Sequence, residues 1–144
     1  MKIMSKGLKD TQKIAEDFVK KLSLHNHDNA LIVGLYGDLG SGKTTFTQDI
    51  AKIFGITEDI TSPTYVIEKV YDIENTAFKK LIHIDAYRLE SAKELISLGW
   101  EEIAADPKNI ILVEWPERVA DILPVNHIKI NFTFISENER EIEI

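Results

Sequence analysis

Residues 37–46 read GDLGSGKTTF, directly after the apolar run ALIVGLY. Three of the chain's seven glycines fall in those ten positions, and a fourth, Gly34, lies just upstream. Gly37-Asp38-Leu39-Gly40-Ser41-Gly42-Lys43-Thr44 satisfies the pattern G-x-x-x-x-G-K-[ST]. Glycine lets the backbone take positive φ and curl inward. Successive N–H groups then converge on an anion at a helix N-terminus. In this pattern Lys43 is predicted to reach the β- and γ-phosphates of a nucleotide, and the Thr44 hydroxyl to coordinate Mg2+. Thr45, one position into the helix, joins the predicted phosphate-binding set. Average composition yields this pattern by chance in about one chain in two hundred of this length, and a flanking strand and helix make coincidence rarer.

The rest of the chain supplies the context such a loop needs. LIVGLY reads as a short buried strand by length and composition, and TTFTQDIAKIFG as a helix stopping at Gly55. Asp10-Thr11 is predicted to cap an amphipathic helix through Ile14, Ala15, Phe18, Val19 and Leu22. LIHID and NIILVEW are two further apolar strands. SAKELISL reads as a helix with Ser91 and Glu94 as a capping box, and Pro116 opens a short helix. YVIEKVYDI, HIKINFTF and EREIEI alternate apolar and polar residues, and the last two form a predicted terminal hairpin. The sum is an α/β fold, a three-layer sandwich like that of P-loop nucleotide-binding proteins. Its mixed sheet has a parallel core and antiparallel C-terminal strands. The whole chain, 1–144, forms one domain. The glycine loop then sits at the carboxyl end of a central strand, where open α/β sheets bind ligands.

A phosphate loop of this kind needs an acid to hold its metal, usually at the end of an apolar strand. Asp85 ends LIHID and Glu114 ends IILVE. Either acid binds the metal directly, acts through water, or orients an attacking water, and the residues alone do not divide these roles. Thr61-Ser62-Pro63-Thr64 reads as a switch-like segment near the metal or as an ordinary Ser-Pro turn. His25 and His27 read as a solvated loop pair, and His83 as a core histidine with a hydrogen-bond partner. Trp100 and Trp115 each read as a stacking or interface residue, or as core or rim packing. Arg88 reads as a phosphate or partner contact, or as half of a surface ion pair. No N-K-x-D guanine signature occurs, which favours adenine.

The remaining composition narrows the partners. The net charge is −7, opposite to the basic face of a protein that grips nucleic acid unaided. The chain has no cysteine, so disulfides and thiolate metal sites are excluded. No apolar run is long enough to span a bilayer and no secretory signal is apparent, so a cytoplasmic location without membrane contact is expected.

Four ordered blocks carry a resemblance over nearly the whole chain. GDLGSGKTTF, SPTY at Ser62–Tyr65, HIDAYRLE at His83–Glu90 and VEWPE at Val113–Glu117 resemble those of the TsaE (YjeE) family. These are small P-loop ATPases of bacterial tRNA threonylcarbamoyladenosine synthesis. Ser41 stands where alanine is more usual and Ala86 where leucine is common. Leu123-Pro124 and Arg140 also fall where the family has them. The resemblance implies that Lys43 and the loop amides bind ATP, that Thr44 and Glu114 hold Mg2+, and that Asp85 serves the metal or the water. It places Thr11 near the adenine. It further implies partners similar to TsaB and TsaD, with tRNA engaged only through that complex, and hydrolysis that is slow alone and faster with the partners. Two other readings remain at this point: a small-molecule kinase, disfavoured by only three arginines and no lid-like cluster, and a nucleotide-dependent interaction module without turnover.

Overall fold

The computed structural model describes residues 1–22, 28–58, 67–74 and 77–144. His25, His27 and the segment Thr61–Tyr65 lie outside the described residues. The elements in chain order are β1 (Lys2–Ser5), α1 (Leu8–Leu22), β2 (Leu31–Tyr36), α2 (Lys43–Ile53), β3 (Glu68–Asp72), β4 (Lys80–Asp85), α3 (Ala92–Ser97), α4 (Trp100–Ala105), β5 (Asn109–Glu114), a 3₁₀ stretch (Pro116–Ile122), β6 (Ile128–Phe134) and β7 (Arg140–Glu143). The seven strands form one sheet in the order β1-β7-β6-β2-β5-β4-β3.

The apolar character of β2 and β5 follows from burial on both faces. Every residue of β5 is buried, as are Leu31–Leu35 of β2. The two pair in parallel, and β4 pairs in parallel with the far side of β5. Strands covered by helices on both sides lose the alternation of half-exposed strands. On one face, Ile14 and Phe18 of α1 and Phe46 and Ile50 of α2 pack over Val33, Leu35, Ile110 and Leu112. The Phe46 ring lies 5.9 Å from that of Phe18 and 5.4 Å from that of Phe132. On the other face, Leu95, Trp100 and Val119 cover Ile32, Ile82, Ile84, Ile111 and Val113. This is the three-layer arrangement expected from the sequence, and Trp100 is core.

Several local expectations are corrected. The terminal hairpin of β6 and β7 is antiparallel, but β6 itself runs parallel to β2 and so extends the parallel core. β1 was not predicted; it completes the edge by pairing antiparallel with β7, at the other end of the chain. α4 was also not predicted, and Gly99, at φ 91°, separates it from α3. α1 starts at Leu8, so Asp10 lies in its first turn and accepts from the Lys6 amide at 2.9 Å instead of capping. Ser91 precedes α3 as foreseen, but its hydroxyl makes no capping bond. Glu94 reaches back one residue further, accepting from the Glu90 amide at 3.1 Å.

Candidate functional site

The loop between β2 and α2 takes the conformation its glycines allow. Gly37 has φ 147° and Gly42, immediately before α2, has φ 106°. Gly37 is also held by space. A Cβ there would stand 2.6 Å from the Phe132 carbonyl oxygen of β6 and 2.7 Å from Ser41 Oγ. Asp38, Leu39 and Gly40 form the exposed tip of the loop. Among the described residues no side chain caps α2, and no acid occupies its first turn. Its leading N–H groups are therefore left for a ligand, at the positive end of the helix dipole.

Lys43 opens α2 and is 5% exposed. Its ammonium donates to the Gly37 carbonyl and sits 3.6 Å from the centroid of the Trp115 ring. Burial pushes the Lys43 pKa down, while Glu114, Glu117, Asp85 and Asp38 oppose that shift. The ring is turned beneath the ammonium by an unusual backbone. Trp115 has φ 58°, a left-handed conformation that costs a bulky residue energy and signals a position fixed by its surroundings. Sequence reading proposed Trp115 as a stacking residue, and what it stacks under is the loop lysine.

β4 and β5 bring the two acids together in register, Asp85 beside Glu114. Their surroundings differ. Glu114 is 2% exposed; its Oε1 accepts from Thr44 Oγ1 at 3.2 Å and its Oε2 from His83 Nε2 at 2.6 Å. Asp85 is half-buried, and its Oδ1 accepts from the Tyr87 amide at 3.0 Å. So Glu114 is joined to the loop, whereas Asp85 is tied into the turn after β4. His83 is the core histidine with a hydrogen-bond partner that the alternation of LIHID suggests. Arg88 is exposed on the same turn.

A second feature lies beside the loop. Thr11 and Thr45, far apart in sequence, line one recess of about 110 Å3 together with Ser5, Gly7, Asn138 and Arg140. Thr11 Oγ1 and Ser5 Oγ share a hydrogen bond at 2.7 Å. The Arg140 guanidinium donates to the Ser136 and Glu139 carbonyls at 2.5 and 2.9 Å and lies over the Phe134 ring. Ser5 and Asn138 were missed by sequence reading. They come from β1 and from the β6–β7 turn, and no local pattern announces that these meet α1 and α2. A larger recess, about 710 Å3, opens at the amino end of β2, away from the loop.

The donor set suits a hard cation with a polyphosphate. Mg2+ is commonly held by one or two carboxylates plus phosphate oxygens. The Thr44 hydroxyl and the Glu114 carboxylate already adjoin one another, and the uncapped helix end lies next to them.

The model of the family described as threonylcarbamoyl adenosine biosynthesis protein TsaE matches residues 5–142. The chain belongs to the TsaE family. Among its relatives, the tRNA threonylcarbamoyladenosine biosynthesis protein TsaE of Rickettsia felis is 37% identical over 91% of this chain and 71% of its own length. The protein of the same name from Borreliella burgdorferi is 44% identical over 65% of this chain and 66% of its own. The crystal structure of Bacillus subtilis YdiB superposes with a TM-score of 0.72 at 30% identity, covering 99% of this chain and 82% of that one. TsaE membership sets this chain's role within tRNA threonylcarbamoyladenosine biosynthesis. Among the described residues no helix is long and apolar enough to cross a membrane.

Proposed function

We propose that this TsaE-family chain binds ATP with Mg2+ and hydrolyses it slowly alone and faster with TsaB- and TsaD-like partners in the cytoplasm. The observation that carries the reading is the triad of contacts around one loop: Lys43 against Gly37 and Trp115, Thr44 against Glu114, and an uncapped α2. The loop amides of Gly37–Thr45 would hold the phosphates. On binding, Lys43 would exchange the Gly37 carbonyl for phosphate oxygen, which is a stronger acceptor because it is charged. Thr44 and Glu114 would hold Mg2+, which supplies charge neutralisation at the phosphates. Asp85, half-exposed at the adjoining strand end, would serve the metal or orient a water. The recess lined by Thr11, Thr45 and Arg140 is the place for the adenine side of the nucleotide.

The acidic surface fits a role in which tRNA is met only through the partners. A complex of this kind uses ATP turnover to reset or activate the assembly, and the transfer chemistry belongs to the partner. The test is phosphate release from Mg·ATP by the chain alone, with TsaB and TsaD homologues, and with a panel of hydroxylated metabolites. Stimulation by the partners is expected. Stoichiometric phosphorylation of a metabolite would make the chain a kinase, and binding without turnover under every condition would make it an interaction module.

A further inference from the structure

Behind the loop, Glu114 makes a second buried contact, to His83 of β4. His83 and Glu114 are each about 3% exposed at the side chain, and His83 Nε2 lies 2.6 Å from Glu114 Oε2. The opposite oxygen, Oε1, faces Thr44 Oγ1 at 3.2 Å. The two oxygens of one carboxylate are thus divided, one toward β4 and one toward the loop. His83 comes from a neighbouring strand whose register with β5 is set by continuous pairing from Lys80 to Asp85. Its ring is therefore carried by the sheet, independently of the loop.

A glutamate has three side-chain torsions, and the last is broad. A buried carboxylate with one oxygen unpaired pays the desolvation of that oxygen or swings to find a partner. The swing would move Oε1 away from Thr44, and the unpaired alternative leaves it there without a fixed torsion. We propose that His83 is a positioning residue for the cation site: its Nε2–H pins Oε2 of Glu114 and so presents Oε1, with the Thr44 hydroxyl, to the divalent cation that accompanies the nucleotide. The inference rests on the Mg·ATP reading of this site and deepens it. His83 touches neither nucleotide nor cation. It orients the ligand, as imidazole and carboxylate partners behind metal ligands do elsewhere.

The test uses Mn2+ as a spectroscopic stand-in, with cation affinity of the ADP complex read by electron paramagnetic resonance and ADP affinity in EDTA read by calorimetry. His83→Leu keeps apolar bulk and loses the donor. It is expected to weaken Mn2+ binding by about 10–100-fold while leaving ADP affinity in EDTA within about threefold, since Lys43 and the loop amides supply that affinity. His83→Gln carries a donor at the reach of Nε2 and is expected to recover most of the Mn2+ affinity. His83→Asn carries its donor too close to the backbone and is expected to behave like the leucine variant. The Gln and Asn pair decides the matter should the leucine variant fail to fold. Unchanged Mn2+ affinity in the Leu or Asn variant would overturn the positioning role alone. An equal loss of ADP affinity in EDTA would also overturn it, by placing the effect in the loop. A wild-type ADP complex that binds no Mn2+ would overturn the Mg·ATP reading together with it.

Discussion

Adding one methyl group to the glycine loop between β2 and α2 at either of two glycines gives sharply different expectations. Gly40 has φ 77°, and a Cβ there would meet no atom within 4 Å. Gly40→Ala therefore costs only the backbone preference, about 1–2 kcal/mol. Gly37 has φ 147°, and its Cβ would lie 2.6 Å from the Phe132 carbonyl oxygen. That oxygen belongs to β6, a strand paired on both sides, and cannot withdraw the way a surface side chain can. Steric overlap of this kind adds roughly 1–3 kcal/mol to the backbone cost, giving a total of about 2–5 kcal/mol for Gly37→Ala. At about 2–4 °C per kcal/mol for a chain of this size, Gly37→Ala should melt about 4–20 °C below wild type, and Gly40→Ala at most about 8 °C below. Thermal unfolding followed by circular dichroism reads both. A second readout is ATP affinity at a temperature where both variants are folded. Gly37→Ala should lose more, because a shift of Gly37 away from the Phe132 carbonyl displaces the loop amides proposed to hold the phosphates. Equal melting temperatures for the two variants would refute the argument that β6 braces the loop.

Lys43→Ala should weaken ATP binding by about 10–150-fold, the worth of a charge-assisted hydrogen bond of about 1.5–3 kcal/mol, read by calorimetry; near-wild-type turnover would show that another cation serves the phosphates. Ser41 Oγ is buried without a hydrogen-bond partner among the described residues, so Ser41→Ala should hold or raise the melting temperature and leave ATP affinity nearly unchanged; a drop in affinity would assign that hydroxyl to the nucleotide. Burial raises the Asp49 pKa on α2, against Lys52 and with Glu16 adding to the shift, and its Oδ2 has no hydrogen-bond partner among the described residues. A carboxyl whose folded pKa lies above its unfolded value stabilises the fold when protonated and loses that contribution as pH rises through the folded pKa. Asp49→Asn should therefore raise the melting temperature at pH 7, and the advantage should vanish below about pH 3.8, the ordinary value for aspartate; a gain that is the same at both pH values would point to packing in place of charge.

The parts of the molecule legible in the sequence are those whose physics is local. The glycine loop, the doubly buried β2 and β5, and the acids at the ends of β4 and β5 announce themselves through composition and spacing. Residues 37–45, proposed to hold the phosphates, fall on one loop and helix start, and Glu114 lies within hydrogen-bond reach of Thr44. What was not legible depends on chain segments that meet only in the fold. β1 is four residues of mixed polarity, and its partner β7 begins at Arg140. The direction of β6 is not encoded in its alternation, since pattern distinguishes faces and does not distinguish parallel from antiparallel neighbours. The recess of Ser5, Thr11, Thr45 and Arg140 draws on four separate elements. The different surroundings of Asp85, half-buried in a turn, and of Glu114, buried against His83, are not displayed by a one-dimensional pattern.

The brace that β6 gives to Gly37 also sets an order of events during synthesis. The glycine motif leaves the ribosome early, yet the carbonyl that closes its back wall belongs to Phe132, about ninety residues later. A nascent chain ending before Ile128 would carry the entire octapeptide and still lack the wall behind it. Loss of the last hairpin from a truncated translation product should therefore leave a polypeptide unable to retain a nucleotide, although its sequence signature is intact.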